Sequence, residues 1–113
     1  MNLGDIWEIN LSPTVGAEIK KKRPALIISD DAMGLLPLKV IVPITEWKDR
    51  FDGAPWMVKI EPDSHNGLLK TSALDTFQIR SVSTRRIVKR IGVVSDEVLE
   101  KVKEAIKTVI DAA

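Results

Sequence analysis

Ser12-Pro13-Thr14-Val15-Gly16-Ala17-Glu18-Ile19-Lys20-Lys21-Lys22-Arg23-Pro24-Ala25-Leu26-Ile27-Ile28-Ser29 is the stretch from which the fold can be read. Pro13 and Gly16 break regular structure, so its first half is a loop. Ala25 to Ile28 is an unbroken apolar run rich in β-branched side chains, which reads as a strand buried on both faces. Lys20, Lys21, Lys22 and Arg23 stand at the junction, with Glu18 just upstream. Pro24 forces Arg23 out of helical geometry. A rigid strand therefore begins where four cations emerge, an arrangement able to hold a phosphate in one place.

Working outward, Gly4 to Leu11 alternates apolar and polar residues from Ile6 and reads as a first strand, ahead of the strand Arg23 to Ser29. Asp30 to Pro37 is a connection with room for one helical turn. Leu38 to Thr45 is a third strand, and Pro43 near its end suits an edge position better than a central ladder. Pro55 to Glu61 makes a fourth strand after a polar loop, and Pro62 to Gly67 is a turn by composition. Thr71 to Val82 reads as one longer strand whose alternation falters around Leu74 to Phe77. Ser83 caps a short turn before a last strand, Ile87 to Val94. Ser95 then caps a helix on which Val98, Val102, Ile106 and Val109 recur at three- and four-residue spacing. The fold class expected is mostly β with one C-terminal helix: a small, curled antiparallel sheet or barrel with the helix packed on it.

The 113 residues form one expected domain, residues 1–113. The lack of cysteine excludes disulfides and thiolate chemistry, and the single histidine, His65, excludes any site built on two imidazoles. No apolar run is long enough to span a bilayer, and no basic-then-apolar leader opens the chain, which points to the cytoplasm and away from the membrane. From Ser95 onward, Asp96, Glu97, Glu100, Glu104 and Asp111 outnumber Lys101, Lys103 and Lys107, so the tail is negative and the rest positive. Ordinary variation and a functional charge separation both fit that pattern.

Three groups can carry chemistry. The lysines of the first stretch read as a solvated face. Arg23 abuts a buried strand, which would still its guanidinium, a fork of donors suited to phosphate oxygens; an ion pair with Glu18 or Asp75 is the alternative. Thr45 at a strand end offers a hydroxyl, though threonine there is commonly just a β-former. Lys70, Thr71, Ser72, Asp75, Thr76, Gln78 and Arg80 place polar side chains densely enough to line a groove or to pair with neighbours. His65, on a polar turn, reads as exposed. Among Trp7, Trp47, Trp56 and Phe77, the aromatic rings able to stack on bases, Trp7 and Trp56 are expected in the core, Trp47 freer in its loop.

These pieces together resemble the MazF/PemK/Kid family of toxin endoribonucleases. The opening Gly4-Asp5-Ile6-Trp7 through Pro13-Thr14-Val15-Gly16-Ala17-Glu18 is similar to the family's start, and Lys22-Arg23-Pro24-Ala25-Leu26-Ile27-Ile28-Ser29 to its Arg-Pro strand. Val40-Ile41-Val42-Pro43-Ile44-Thr45 resembles its third strand, and Ser72 through Gln78-Ile79-Arg80 its Gln-x-Arg strand. The resemblance implies an SH3-like barrel of the MazF/Kid/CcdB toxin type that forms a homodimer and, with a cognate antitoxin, a type II toxin–antitoxin system. It implies sequence-specific cleavage of single-stranded mRNA through the ribose 2′-hydroxyl, with no metal or other cofactor. The family's catalytic arginine and threonine fall on Arg23 and Thr45. Substrate-binding residues are then expected at Pro13, Glu18, Lys20, Lys22, Lys70, Ser72 and Gln78. Some members carry an acid immediately before that glutamine; here Phe77 stands there, and Asp75 is the nearest acid. Glu18, His65 or no side chain at all remain open as the proton acceptor. Two other readings are a gyrase-inhibiting toxin of the same fold and a barrel-shaped binding module without activity.

Overall fold

A computed structural model describes residues Met1–Ala113. The alternating and β-branched segments become seven strands of one antiparallel sheet. Strands β1 (Asp5–Asn10), β2 (Lys22–Ile27) and β3 (Leu38–Glu46) lie side by side, with Ala25 facing Trp7 on one flank and Pro43 on the other. The pair β4 (Met57–Ile60) and β5 (Ser72–Asp75) extends the sheet past the end of β3, β6 (Arg80–Ser83) joins its beginning, and β7 (Ile87–Val93) lies against β1. The order is β4-β5-β3-β2-β1-β7 with β6 beside β3, so the curled sheet stops short of closing into a barrel.

β3 is central, contrary to the edge position expected from Pro43. On one flank it pairs with β2. On the other, Leu38–Ile41 pair with β6 and Ile44–Glu46 with β5. Pro43 sits in the gap between those two partners. The Val40 carbonyl accepts from Ile28 N–H on the β2 side, so alternation points the nitrogen of Pro43 into the gap, where no donor is required.

The long strand expected over Thr71–Val82 is two strands separated by a 3₁₀ turn, Thr76–Gln78. The Asp75 carboxylate accepts from Phe77 N–H (3.1 Å), and the Thr76 hydroxyl donates to the Trp56 carbonyl (2.6 Å). The first bond is local and competes with the ladder; the second, to a residue 20 positions away, turns Thr76 inward, and together they break the strand. The break lets β5 and β6 serve different halves of β3 and leaves Gln78 off the sheet.

The helix α1 (Asp96–Val109) begins where Ser95 Oγ accepts from Val98 N–H (3.2 Å), and Asp96 and Glu97 complement its dipole. It buries Val102 and Ala105 in a cluster of 11 core residues that includes Leu26, Val42 and Leu74. A second cluster, Ile9, Leu11, Ala25, Ile27, Ile41 and Val82, belongs to the alternate residues of the same strands. β2 feeds both, so truncating Leu26 to alanine would cost about 2–5 kcal/mol. Trp7 packs partly buried on the second cluster. Trp56 is 39% exposed and meets Phe77 edge-on instead of filling the core. Trp47 is the better-held ring, half-buried against Phe51 with Lys59 Nζ 5.0 Å above it. No helix is long and apolar enough to cross a membrane.

Candidate functional site

Arg23 lies near the start of β2, half-buried, where the loop Ser12–Lys21 hands over to the sheet. Its Nε donates to the Lys20 carbonyl (3.0 Å), which turns the side chain back along the loop. No carboxylate lies within 4.0 Å, so the ion pair with Glu18 or Asp75 is not formed. The β2–β3 register pairs Ile27 with Ile41 and Ala25 with Pro43; continued two residues further, it sets Arg23 across from Thr45. Both line an open trough of about 610 Å³. It also receives Lys70, Ser72, Glu8, Glu46, Lys89 and Arg90 from the neighbouring segments.

The charges of the trough fall into held and free groups. Arg90 is tied to Asp5 (3.4 Å), and Lys70 (3.8 Å) and Lys48 (3.5 Å) both bridge to Glu46. Burial alone would raise the Asp5 carboxyl, but hydrogen bonds from Asn2 N–H, the Trp7 indole and Arg90 together bring it below the usual carboxylate value. Asp5 is therefore a charged anchor that fixes Arg90. Arg23 and Lys89 have no ion-pair partner, and Glu8 is the one carboxylate of the trough outside an ion pair. The Ser72 hydroxyl donates to the Lys70 carbonyl (2.8 Å), so it reaches the trough already committed to the backbone.

The segment carrying Leu69 and Lys70 into the trough is pinned from behind. Asn66 is fully buried, accepting from Asp63 N–H and Leu68 N–H and donating to the Glu61 carbonyl. Gly67 has φ +68°, and a Cβ there would lie 2.3 Å from the Ile91 carbonyl oxygen. Any other residue would push this segment off β7. His65 is exposed on the same turn, as expected.

Glu18 and Gln78 meet elsewhere, in a second hollow of about 500 Å³ with Phe77, Arg80, Ile19 and Pro43 among its walls. Gln78 Oε1 accepts from Ile19 N–H (2.6 Å) and its Nε2 donates to the Ala17 carbonyl (3.2 Å). Both ends of the amide fasten the loop. Glu18 Oε1 accepts from Val15 N–H (2.7 Å). Pro13, Lys20 and Lys22 are exposed and line neither hollow. Asp75 is buried beneath the 3₁₀ turn, where burial pushes its carboxyl up despite hydrogen bonds from Phe77 and Gln78.

Sequence reading did not single out Glu8, Lys89 or Arg90. In the chain, Glu8 is only the polar step of an alternating strand. The β1–β7 register, Glu8 with Lys89 and Trp7 with Arg90, brings all three to the trough.

Residues 2–110 match the family described as PemK-like, MazF-like toxin of type II toxin-antitoxin system. The chain is 30% identical over 117 residues to Endoribonuclease MazF9 of Mycobacterium tuberculosis, covering 98% of this chain and 97% of that relative. It is 30% identical over 105 residues to Endoribonuclease EndoA of Bacillus subtilis, covering 92% and 89%. Among solved structures, MazF from Deinococcus radiodurans has a TM-score of 0.82 at 24% identity, covering 98% of this chain and 96% of that one. An endoribonuclease in complex with its cognate antitoxin from a mycobacterial species has a TM-score of 0.77 at 18% identity, covering 100% and 97%.

Proposed function

Because this chain belongs to the PemK-like, MazF-like toxins of type II toxin–antitoxin systems, we propose that it is an endoribonuclease cutting single-stranded RNA at the trough of Arg23 and Thr45. The observation that carries this reading is the placement of an unpaired guanidinium and a hydroxyl across from each other on neighbouring strands, both lining one open trough.

In the proposed step the ribose 2′-oxygen forms a bond to phosphorus as the bond to the 5′-oxygen breaks, leaving a 2′,3′-cyclic phosphate and a 5′-hydroxyl. The ribose supplies the nucleophile, so the step calls for no metal-bound water. Negative charge grows on the phosphoryl oxygens; Arg23 neutralises it through its fork of donors, and Thr45 adds a hydrogen bond. The 2′-hydroxyl proton passes to water, and water protonates the departing 5′-oxygen. Lys89 adds positive potential along the strand path. Pro13, Glu18, Lys20 and Lys22 are assigned to binding RNA beyond the cut. A homodimer and a cognate antitoxin whose acidic segment covers the cationic trough complete the reading, which places the toxin in the cytoplasm.

The test is a purified protein, a mixed single-stranded RNA, and the same RNA with a 2′-deoxy sugar at the cut position. Cutting of the ribose strand alone supports the reading. Cutting of the deoxy strand at that position would sink it.

A further inference from the structure

The 3₁₀ turn that interrupts the sheet also leaves an aromatic ring in solvent. Its residues are fixed by the Asp75 cap and by Thr76, which is turned inward onto the Trp56 carbonyl, and Phe77 is left 65% exposed. Trp56 meets it with ring centroids 6.1 Å apart and planes at 70°. That edge contact steadies the ring while leaving most of it open.

Phe77 borders the second hollow. Its apolar walls include Pro43, Ile19 and Ile79; Glu18 and Arg80 stand at its rim. Glu18 gives one oxygen to Val15 N–H and has a second to offer. Arg80 donates from Nη1 to the Leu11 carbonyl (3.4 Å) and keeps further N–H groups. A flat ring, an acceptor and a donor around one apolar cleft match a nucleobase, which has a face to stack and an edge to read. Pro43 lies on the same face of β3 as Thr45 and two residues before it. That is about 7 Å along the strand, so a base in the hollow lies within about two nucleotides of a phosphate at Thr45.

We infer that Phe77, steadied by Trp56, is a stacking platform for a nucleobase flanking the cut, and that Glu18 selects a base with an exocyclic amino group. This rests on the ribonuclease reading. The rim charges and the nearness of Pro43 to Thr45 along β3 favour RNA over an apolar protein segment as occupant.

Binding is measured with a short, fluorescently labelled, random-sequence single-stranded RNA in an Arg23→Ala background. Phe77→Ala and Phe77→Leu should weaken it roughly five- to a hundredfold, the range of base–aromatic stacking, while Phe77→Trp retains it. The leucine variant keeps an apolar contact with Trp56 and guards against loss of fold. With Arg23 intact, Phe77→Leu should raise KM far more than it lowers kcat, and sequencing of the cleaved ends should show base preference flattened at one position beside the cut. If all Phe77 variants bind alike and cut with the same base profile, the platform is refuted while the ribonuclease reading stands. If they lose only affinity for the antitoxin, the ring docks protein and the inference is overturned. If the native protein cuts no RNA, both fall.

Discussion

The two hollows beside β3 are built from similar residues and differ in what those residues have left to give. In the trough, Arg23 and Lys89 have no acidic partner, and Glu8 has no basic one. In the second hollow, both ends of the Gln78 amide hold the Ala17–Ile19 backbone, and one Glu18 oxygen holds Val15. An unpaired charge on a fixed strand is available to a ligand. An amide whose donor and acceptor are both engaged is a fastener. Gln78, expected to bind substrate, has both ends of its amide committed to holding the loop at Ala17–Ile19.

The largest effect should come from the free side of that contrast. Arg23→Ala should lower the cleavage rate by roughly 10²–10³ or more, with only a small fall in Tm, because the guanidinium is in no ion pair and gives up one hydrogen bond to the Lys20 carbonyl. A thermal melt beside a labelled-RNA assay checks both. A large drop in Tm would make Arg23 structural and erase the distinction between the hollows. Thr45→Ala should follow, with kcat down about 10²-fold, KM nearly unchanged, and partial recovery in Thr45→Ser. Full activity in Thr45→Ala would remove Thr45 as a donor to the phosphoryl oxygens.

Gln78→Ala should act differently, raising KM more than it lowers kcat and costing about 1–2 kcal/mol for two lost hydrogen bonds. Amide hydrogen exchange should speed up at Ala17–Ile19 and not in β2. The smallest effect concerns Asp75. Burial raises its folded carboxyl above the ordinary value of 3.8, so the native state holds the proton more tightly than the unfolded chain. Stability is then lost as pH rises through the folded value. Asp75→Asn, which keeps an oxygen for Phe77 N–H, should be more stable than the native protein at neutral pH. Denaturant titrations should show that advantage vanish below pH 3.8. Asp5, held below the ordinary value, has the opposite sign and loses its contribution as pH falls.

The charge asymmetry of the sequence resolves on the same principle. On α1, Lys101 pairs with Glu97 (3.3 Å), Lys103 with Glu100 (3.5 Å) and Lys107 with Glu104 (3.3 Å). These are exposed helix-spaced pairs that each contribute little. The acidic tail is an ordinary solvated surface. The unpaired cations that matter come one at a time from different strands.

What the sequence by itself determined is whatever depends on neighbours along the chain. The Ala25–Ile28 run set a buried strand behind Arg23, the spacing from Val98 to Val109 set the helix, Ser95 capped it, and Ser83 capped the short turn Thr84–Arg86. What only the tertiary structure decided is pairing. Pro43 is tolerated at the centre because β3 changes partners there, and Thr71–Val82 breaks because Asp75 caps a turn and Thr76 is drawn inward onto the distant Trp56 carbonyl. Glu8 and Arg90 reach the trough through the register of β1 with β7. A strand's alternation says which residues share a face, but hydrogen bonds between strands far apart in the chain decide what that face looks onto.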